Sequence, residues 1–197
     1  MKITTPLFEA SLKCTTKCFL RSLSETGTGN AYADWARTQA QSYCDTGTKG
    51  LMAGAAADES IIGSLGTENW KTAKWRLAVD LVARAENLES SVHAVERAPS
   101  EGRGQSGQFA PIRFIFTNKL TRIDKLLLAF DALVLSEMLG RKIDRGKIMY
   151  GDDHAMQTVK TSALAREVRK QIEKIATLLS FPSTLIFVSS AWINWPL

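Results

Sequence analysis

A chain of 197 residues, 45% hydrophobic and 23% charged, has the size and balance of one globular domain that buries a real core. Its 25 Lys and Arg against 20 Asp and Glu give a net charge of +5, which permits a polyanionic partner without requiring one. Cys14, Cys18 and Cys44 are too few and too clustered for a disulfide framework, and with no fourth thiol or nearby histidine they do not complete a zinc site.

The N-terminus has no apolar run flanked by a cleavage site, so no signal peptide is expected there. Residues 5–23 mix Phe8, Leu12, Cys18, Phe19 and Leu20 with Lys13, Lys17 and Arg21, and predict short helical pieces. On a helix, Cys14 and Cys18 would share a face. The Ser-Glu-Thr-Gly-Thr-Gly cluster at 24–29 is a break. From Asn30 to Tyr43, helical spacing of Tyr32, Trp35, Ala36 and Ala40 predicts an amphipathic helix. Residues 46–68, rich in Gly, Ala, Ser and Thr, read as irregular.

Trp75, Leu77, Val79, Leu81 and Ala83 then alternate with mostly polar neighbours, a period of two that predicts a strand with one buried face. Glu86 and Asn87 suit a tight turn, and Leu88, Ser90, Val92 and Ala94 restart the alternation on an antiparallel neighbour. A glycine-rich loop at 98–108 leads to Phe109–Phe116, apolar on both faces except for Arg113 and so a central strand. Pro111 removes a ladder donor from it.

The helix after it is the best defined. Thr121 caps it, Asp124 sits in its first turn, and Gly140 closes it. Leu126, Leu127, Phe130, Leu133, Val134 and Met138 form its buried stripe. Residues 146–150 read as a strand, 151–153 as a turn, and 156–160 as a return strand. The last helix turns Leu164, Val168, Ile172, Ile175 and Leu179 inward and Arg166, Arg169, Lys170 and Lys174 outward. Residues 181–197 form an apolar, uncharged tail, and its serines, prolines and Asn194 argue against a membrane span. The chain reads as cytoplasmic.

Strand, strand, strand, helix, strand, strand, helix resembles the core of RecB-like nucleases of the PD-(D/E)XK type, including the CRISPR-associated exonuclease branch. Wording supports the order. Cys14 followed by Phe19-Leu20 looks like that branch's N-terminal entry. "IDKLLLAFDALVLSEMLG" at 123–140 resembles the helix after the catalytic strand. "GKIMYG" with "MQTVKTSALAREVRKQIEKI" resembles the closing strand pair and helix of bacterial RecB-family nucleases of unknown role. The likeness spans roughly residues 5–180.

It implies an α/β fold, a central mixed sheet flanked by helices with a restriction-endonuclease-like core at about 74–180, in a single domain over 1–180. The family's chemistry needs a strand Asp, and a Glu and Lys two apart on the next strand; the two carboxylates hold Mg²⁺ or Mn²⁺. Aligned here, His93 takes the Asp position and Pro111-Ile112-Arg113 the Glu-x-Lys. Arg113 keeps a charge able to steady a phosphate but not to act as a base. Glu89 shares a strand face with His93, and simple alternation puts Glu96 on the other. These four are the candidate catalytic residues. The branch's iron–sulfur cluster needs four thiolates, and no Cys follows Cys44, so a cluster is not expected.

Lys119, Arg122, Lys125, Arg141, Lys142, Arg145 and Lys147 form a basic stretch around one helix and its exit. Such a stretch is either a solvated face or a sequence-independent phosphate rim. Asp152-Asp153-His154 superficially resembles a metal cluster, but an Asx turn accounts for it. The expectation is a nuclease-like domain that binds single- or double-stranded DNA with catalysis lost or impaired. The alternatives are an active Mg²⁺- or Mn²⁺-dependent nuclease using displaced carboxylates, and a non-catalytic interaction domain or remnant whose tail meets a protein partner.

Overall fold

The computed structural model describes residues 2–25, 30–63, 75–98 and 108–180, and the expected glycine-rich loop and apolar tail lie almost wholly outside that set. In chain order its elements are β1 (Ile3–Thr4), α1 (Thr5–Lys13), α2 (Thr15–Ser22), α3 (Ala31–Ala53), β2 (Ser60–Ile62), β3 (Leu77–Ala85) and β4 (Leu88–Ala98). β5 (Gln108–Ile115), α4 (Arg122–Leu139), β6 (Gly146–Tyr150), β7 (Ala155–Val159) and α5 (Ala165–Ser180) follow. The strands make one mixed sheet in the order β2-β3-β4-β5-β6-β7, with β1 pairing alongside β4. β3–β4, β4–β5 and β6–β7 are antiparallel, while β5–β6, β2–β3 and β1–β4 are parallel. The fold is therefore the expected α/β class, with a central mixed sheet flanked by helices.

α4 is the crossover that lets β5 and β6 run parallel. Its start is a full capping box, with the Thr121 side chain on the Asp124 N–H and the Asp124 carboxylate on the Thr121 N–H. Its end is Gly140 in the left-handed region, φ +62. Ten consecutive residues of α4, from Leu126 to Leu135, are buried, so the helix is enclosed rather than merely laid on a surface.

The two sheet faces are unequal. α1, α4 and α5 bury Phe8, Leu81, Leu88, Val92, Phe130, Val134, Val168 and Ile175 in one continuous core, where the Phe8 and Phe130 rings stack at 4.4 Å. Among the described residues the opposite face is covered by α3, over a smaller cluster of Leu77, Val79, Ala94, Ile112, Phe114 and Met149.

Three expectations change. Residues 46–53 are helical, continuing α3 well past Tyr43. Gly47 makes this possible, because a Cβ there would come within 3.2–3.3 Å of Met149 Sδ and the Phe114 ring. Residues 60–62 are a strand rather than irregular chain. The alternation of β3 does not stay on one face: Leu77 and Val79 meet the α3 side, whereas Leu81 and Ala83 meet the α4 side. Asp80 stands at the swap with φ +54, and it and His93 drop out of an otherwise continuous β3–β4 register. A left-handed residue inside a strand rotates the chain, so facing is exchanged on both strands at once.

Candidate nucleic-acid interface

His93 is held between strands. Regular β4–β5 pairing stops at Ala94 and Ile112, and, two residues on, the Phe114 N–H donates to His93 Nδ1 at 2.9 Å. The ring fills the gap where the strands part, lies on Phe114, and has Cys44 Sγ 3.7 Å from the same nitrogen. Burial first, and the Arg113 charge second, push its pKa down to about 3, so it is neutral with its proton on Nε2. Burial likewise pushes the Cys44 thiol up to about 11. The pair is a thiol and an imidazole, not a thiolate and an imidazolium.

Arg113 lies on the other side of the sheet. It forks onto Asp131 of α4, Nε to Oδ2 at 2.9 Å and Nη2 to Oδ1 at 2.8 Å, with both side chains almost wholly buried. Ser90 donates to Asp131 Oδ1 at 2.5 Å, Thr5 and Ser90 share a hydrogen bond of 3.2 Å, and Ser91 N–H donates to Thr5 Oγ1 at 3.1 Å. Burial opposes the guanidinium's charge, but the adjoining carboxylate outweighs it and holds the Arg113 pKa above its ordinary value. Burial pushes the Asp131 carboxyl up against the pull of Arg113 and Ser90. Three donors converge on that carboxyl, so the ionised pair is the state the geometry suits. Arg113 and Ser90 stood out in the sequence, but Asp131 and its pairing with them did not. The available signal was a lone carboxylate within the apolar stripe of α4 and a lone Arg in an apolar strand.

The other two candidate catalytic residues are also engaged. Glu89 accepts from Arg84 at 2.8 Å and Lys2 at 3.0 Å, which hold its carboxyl below its ordinary range. Glu96 forms an ion pair with Lys147 across β5. The exchange of facing at Asp80 corrects the alternation here: Glu96 is on the α3 side with His93, in a cleft of about 250 Å³ lined by Leu51, Leu77, Ile112, Lys147 and Arg76. Pro111, opposite Val95 and one residue before β6 pairing begins, has no side-chain donor for a metal. Among the described residues no three His, Cys, Asp or Glu side chains converge on one ion-sized position.

Cys14 is exposed between α1 and α2 while Cys18 is buried, so the two do not share a face. At residues 151–154, Asp152 accepts from Asn118 at 2.9 Å and Asp153 from the Ala155 N–H at 3.3 Å, while His154 stacks on Tyr43 at 4.6 Å. These are the bonds of a turn.

The basic stretch divides. Lys147 belongs to the α3-side cleft and is neutralised by Glu96. The other six border the outer side of α4. Arg122 bridges to Glu167 at 2.5 Å, joining the first turns of α4 and α5. Ser162 N–H to Asp144 O at 3.2 Å and Thr161 Oγ1 to Ile143 O at 3.1 Å tie the α4 exit to the approach to α5. The first half of α5 thus links Lys119, Arg122 and Lys125 on one side to Arg141, Lys142 and Arg145 on the other, and adds exposed Lys160, Arg166, Arg169 and Lys170. Lys142 pairs with Asp144 at 2.9 Å. Lys119, Lys125, Arg141, Arg145, Lys160, Arg166, Arg169 and Lys170 form no ion pair among the described residues. Unpaired cations gathered at one seam are suited to phosphates.

No family model matches the chain, and no curated protein matches it. Among solved structures it is similar to one described as "Crystal structure of SSO0001", at 12% identity and a TM-score of 0.40, covering 87% of this chain and 75% of that one. A likeness of that degree fixes neither a family nor a function. Among the described residues no helix is long and apolar enough to cross a membrane.

Proposed function

We propose that this chain is a nuclease-like domain that binds nucleic acid along its backbone, with the catalysis of the fold it resembles lost or impaired. The observation that carries the reading is the α4–α5 seam, where eight cations without ion-pair partners among the described residues border one surface. Phosphates bound there would release counterions, giving affinity that falls with salt and is indifferent to sequence. The loss of chemistry is supported by what occupies the expected site: His93 spent on a backbone amide, Pro111, and Arg113 locked to Asp131 on the opposite face.

Labelled single- and double-stranded DNA, titrated at two salt concentrations with Mg²⁺ or Mn²⁺ present, tests both halves on the same samples. Salt-sensitive binding without cleavage is expected, weakened about tenfold or more by Arg169→Glu with Lys170→Glu, since each lost phosphate contact lowers the duplex salt slope by about 0.9. Unaltered binding in that variant would remove the assigned surface. A second reading has one observation in its favour: Glu96 and Lys147 place a carboxylate and an amine together in a cleft. Chelator-sensitive cleavage abolished by Glu96→Ala would establish a rebuilt active site.

A further inference from the structure

α3 is longer than the sheet it covers. Its direction is set by three contacts: Tyr43 Oη donates to Gly151 O at 3.0 Å, Gly47 faces Phe114 and Met149, and Leu51 borders the cleft with Ile112 and Lys147. The helix therefore enters over the end where β5 and β6 finish and runs towards the end where they begin. Residues 31–42 precede the first of these contacts, so about 18 Å of helix, at 1.5 Å per residue, projects beyond the sheet.

The projecting part keeps an apolar face. Tyr32, Ala36, Ala40, Tyr43 and Gly47 follow helical spacing along one stripe, of which Tyr43 and Gly47 pack on the sheet. Towards the N-terminus the stripe continues through Ala40, Ala36 and Tyr32, none of which is buried. Tyr32 is 74% exposed and Trp35 52%, their ring centroids 5.7 Å apart and tilted by 32°. Large aromatics at this exposure contribute little to the fold, and as neighbours they leave two adjoining π surfaces open to solvent. The neighbouring acid Asp34 is paired with Arg37 at 3.0 Å.

The end of the sheet that α3 overhangs is also where the cationic seam starts. Asn118 is hydrogen-bonded in both directions to Asp152, which places Lys119 and the first turn of α4, with Arg122 and Lys125, beside the 151–154 turn that Tyr43 contacts. Asp152 there accepts from Asn118, and Asp153 from the Ala155 N–H.

We propose that the overhanging face of α3 is a stacking platform for the bases of a single-stranded nucleic acid whose phosphates run along Lys119, Arg122 and Lys125. This rests on the nucleic-acid reading above and narrows it to the single strand. Free base faces are what an aromatic pair on an open helix recognises, and a duplex keeps those faces stacked inside. Cations at the same end supply the backbone contact that stacking by itself lacks.

The test is fluorescence anisotropy of the full chain with a labelled oligothymidylate of about 15 nucleotides and with a labelled hairpin duplex. Tyr32→Ala with Trp35→Ala is expected to weaken single-strand binding by about five- to a hundredfold and to leave duplex binding unchanged, while Trp35→Phe retains most of the affinity. Circular dichroism confirms that the variant keeps its fold, since both side chains are exposed. If the parent chain binds neither nucleic acid, the functional reading itself fails. If Arg169→Glu with Lys170→Glu weakens binding but the aromatic variant does not, the nucleic-acid reading stands and the platform is overturned. A change from dimer to monomer in the aromatic variant, with single-strand affinity intact, would assign the face to a second copy of the chain.

Discussion

His93 shows how a residue in a site-like position is explained by the backbone around it. It replaces a ladder bond that β4 no longer supplies to Phe114, and burial keeps it neutral. A free imidazole titrates near 6.5 and this one near 3, so between those values the unfolded chain binds the extra proton. The resulting stability is complete above about pH 6.5 and is lost as pH falls toward 3, at up to about 1.4 kcal/mol per pH unit. His93→Asn keeps an acceptor near Nδ1 and cannot titrate there, so urea unfolding between pH 6 and 4 should show a shallower pH slope in the variant. Equal slopes would mean that His93 is charged in the fold. Arg113 and Asp131 give a second residue-scale prediction. Asp131→Ala strands a buried guanidinium and should cost about 3–5 kcal/mol by urea unfolding, whereas Arg113→Met with Asp131→Leu should recover most of it. The lone charges Arg113 and Asp131 were visible in the sequence as interruptions of apolar segments. Their pairing was not, because it joins residues on a strand and a helix that only the crossover brings together.

α4 was legible almost to the residue, since Thr121, Asp124 and Gly140 specify its ends locally and its apolar stripe specifies its inner face. α3 was legible only to Tyr43. Gly47 and Gly50 weaken helix propensity, and nothing local reveals that the helix lies so close to Phe114 that a side chain at 47 would crowd it. The two glycines should consequently respond in opposite ways. Gly50→Ala meets nothing within 4 Å and should stabilise the chain by about 0.5–1 kcal/mol. Gly47→Ala presses on a buried ring and should lose that gain or reverse it. Thermal melts of both variants provide the comparison; equal gains would show that α3 stands off the sheet. The exchange of facing in β3 was hidden for a related reason. Asp80 occupies a polar position that simple alternation assigns to solvent, and its left-handed φ depends on the β3–β4 pair, not on its immediate neighbours. The same local view placed Lys147 with the outer basic residues, although β6 turns it into the cleft with Glu96.

The unequal faces of the sheet give the whole molecule a gradient of stability. On one side α1, α4 and α5 close a continuous core around Phe8 and Phe130, and breaking any of it exposes much of the rest. On the other, α3 is the one described element over a smaller cluster, and residues 31–42 contribute no buried side chain. Local opening requires less free energy where fewer apolar contacts are broken. Amide hydrogen exchange should therefore fall into three classes. The buried turns of α4 should exchange only by global unfolding, residues 43–53 of α3 by a smaller opening, and residues 31–42 with the least protection. Such a gradient is compatible with the proposed platform, because an overhanging helix that frays when free becomes ordered when bases stack against it. Saturating the chain with single-stranded oligonucleotide should raise protection selectively across residues 31–42 and leave α4 unchanged. A uniform rise in protection would indicate that the oligonucleotide stabilises the whole fold from the α4–α5 seam without engaging the arm. High protection of 31–42 in the free chain would show that the arm is already covered, and the stacking surface would have to be sought elsewhere.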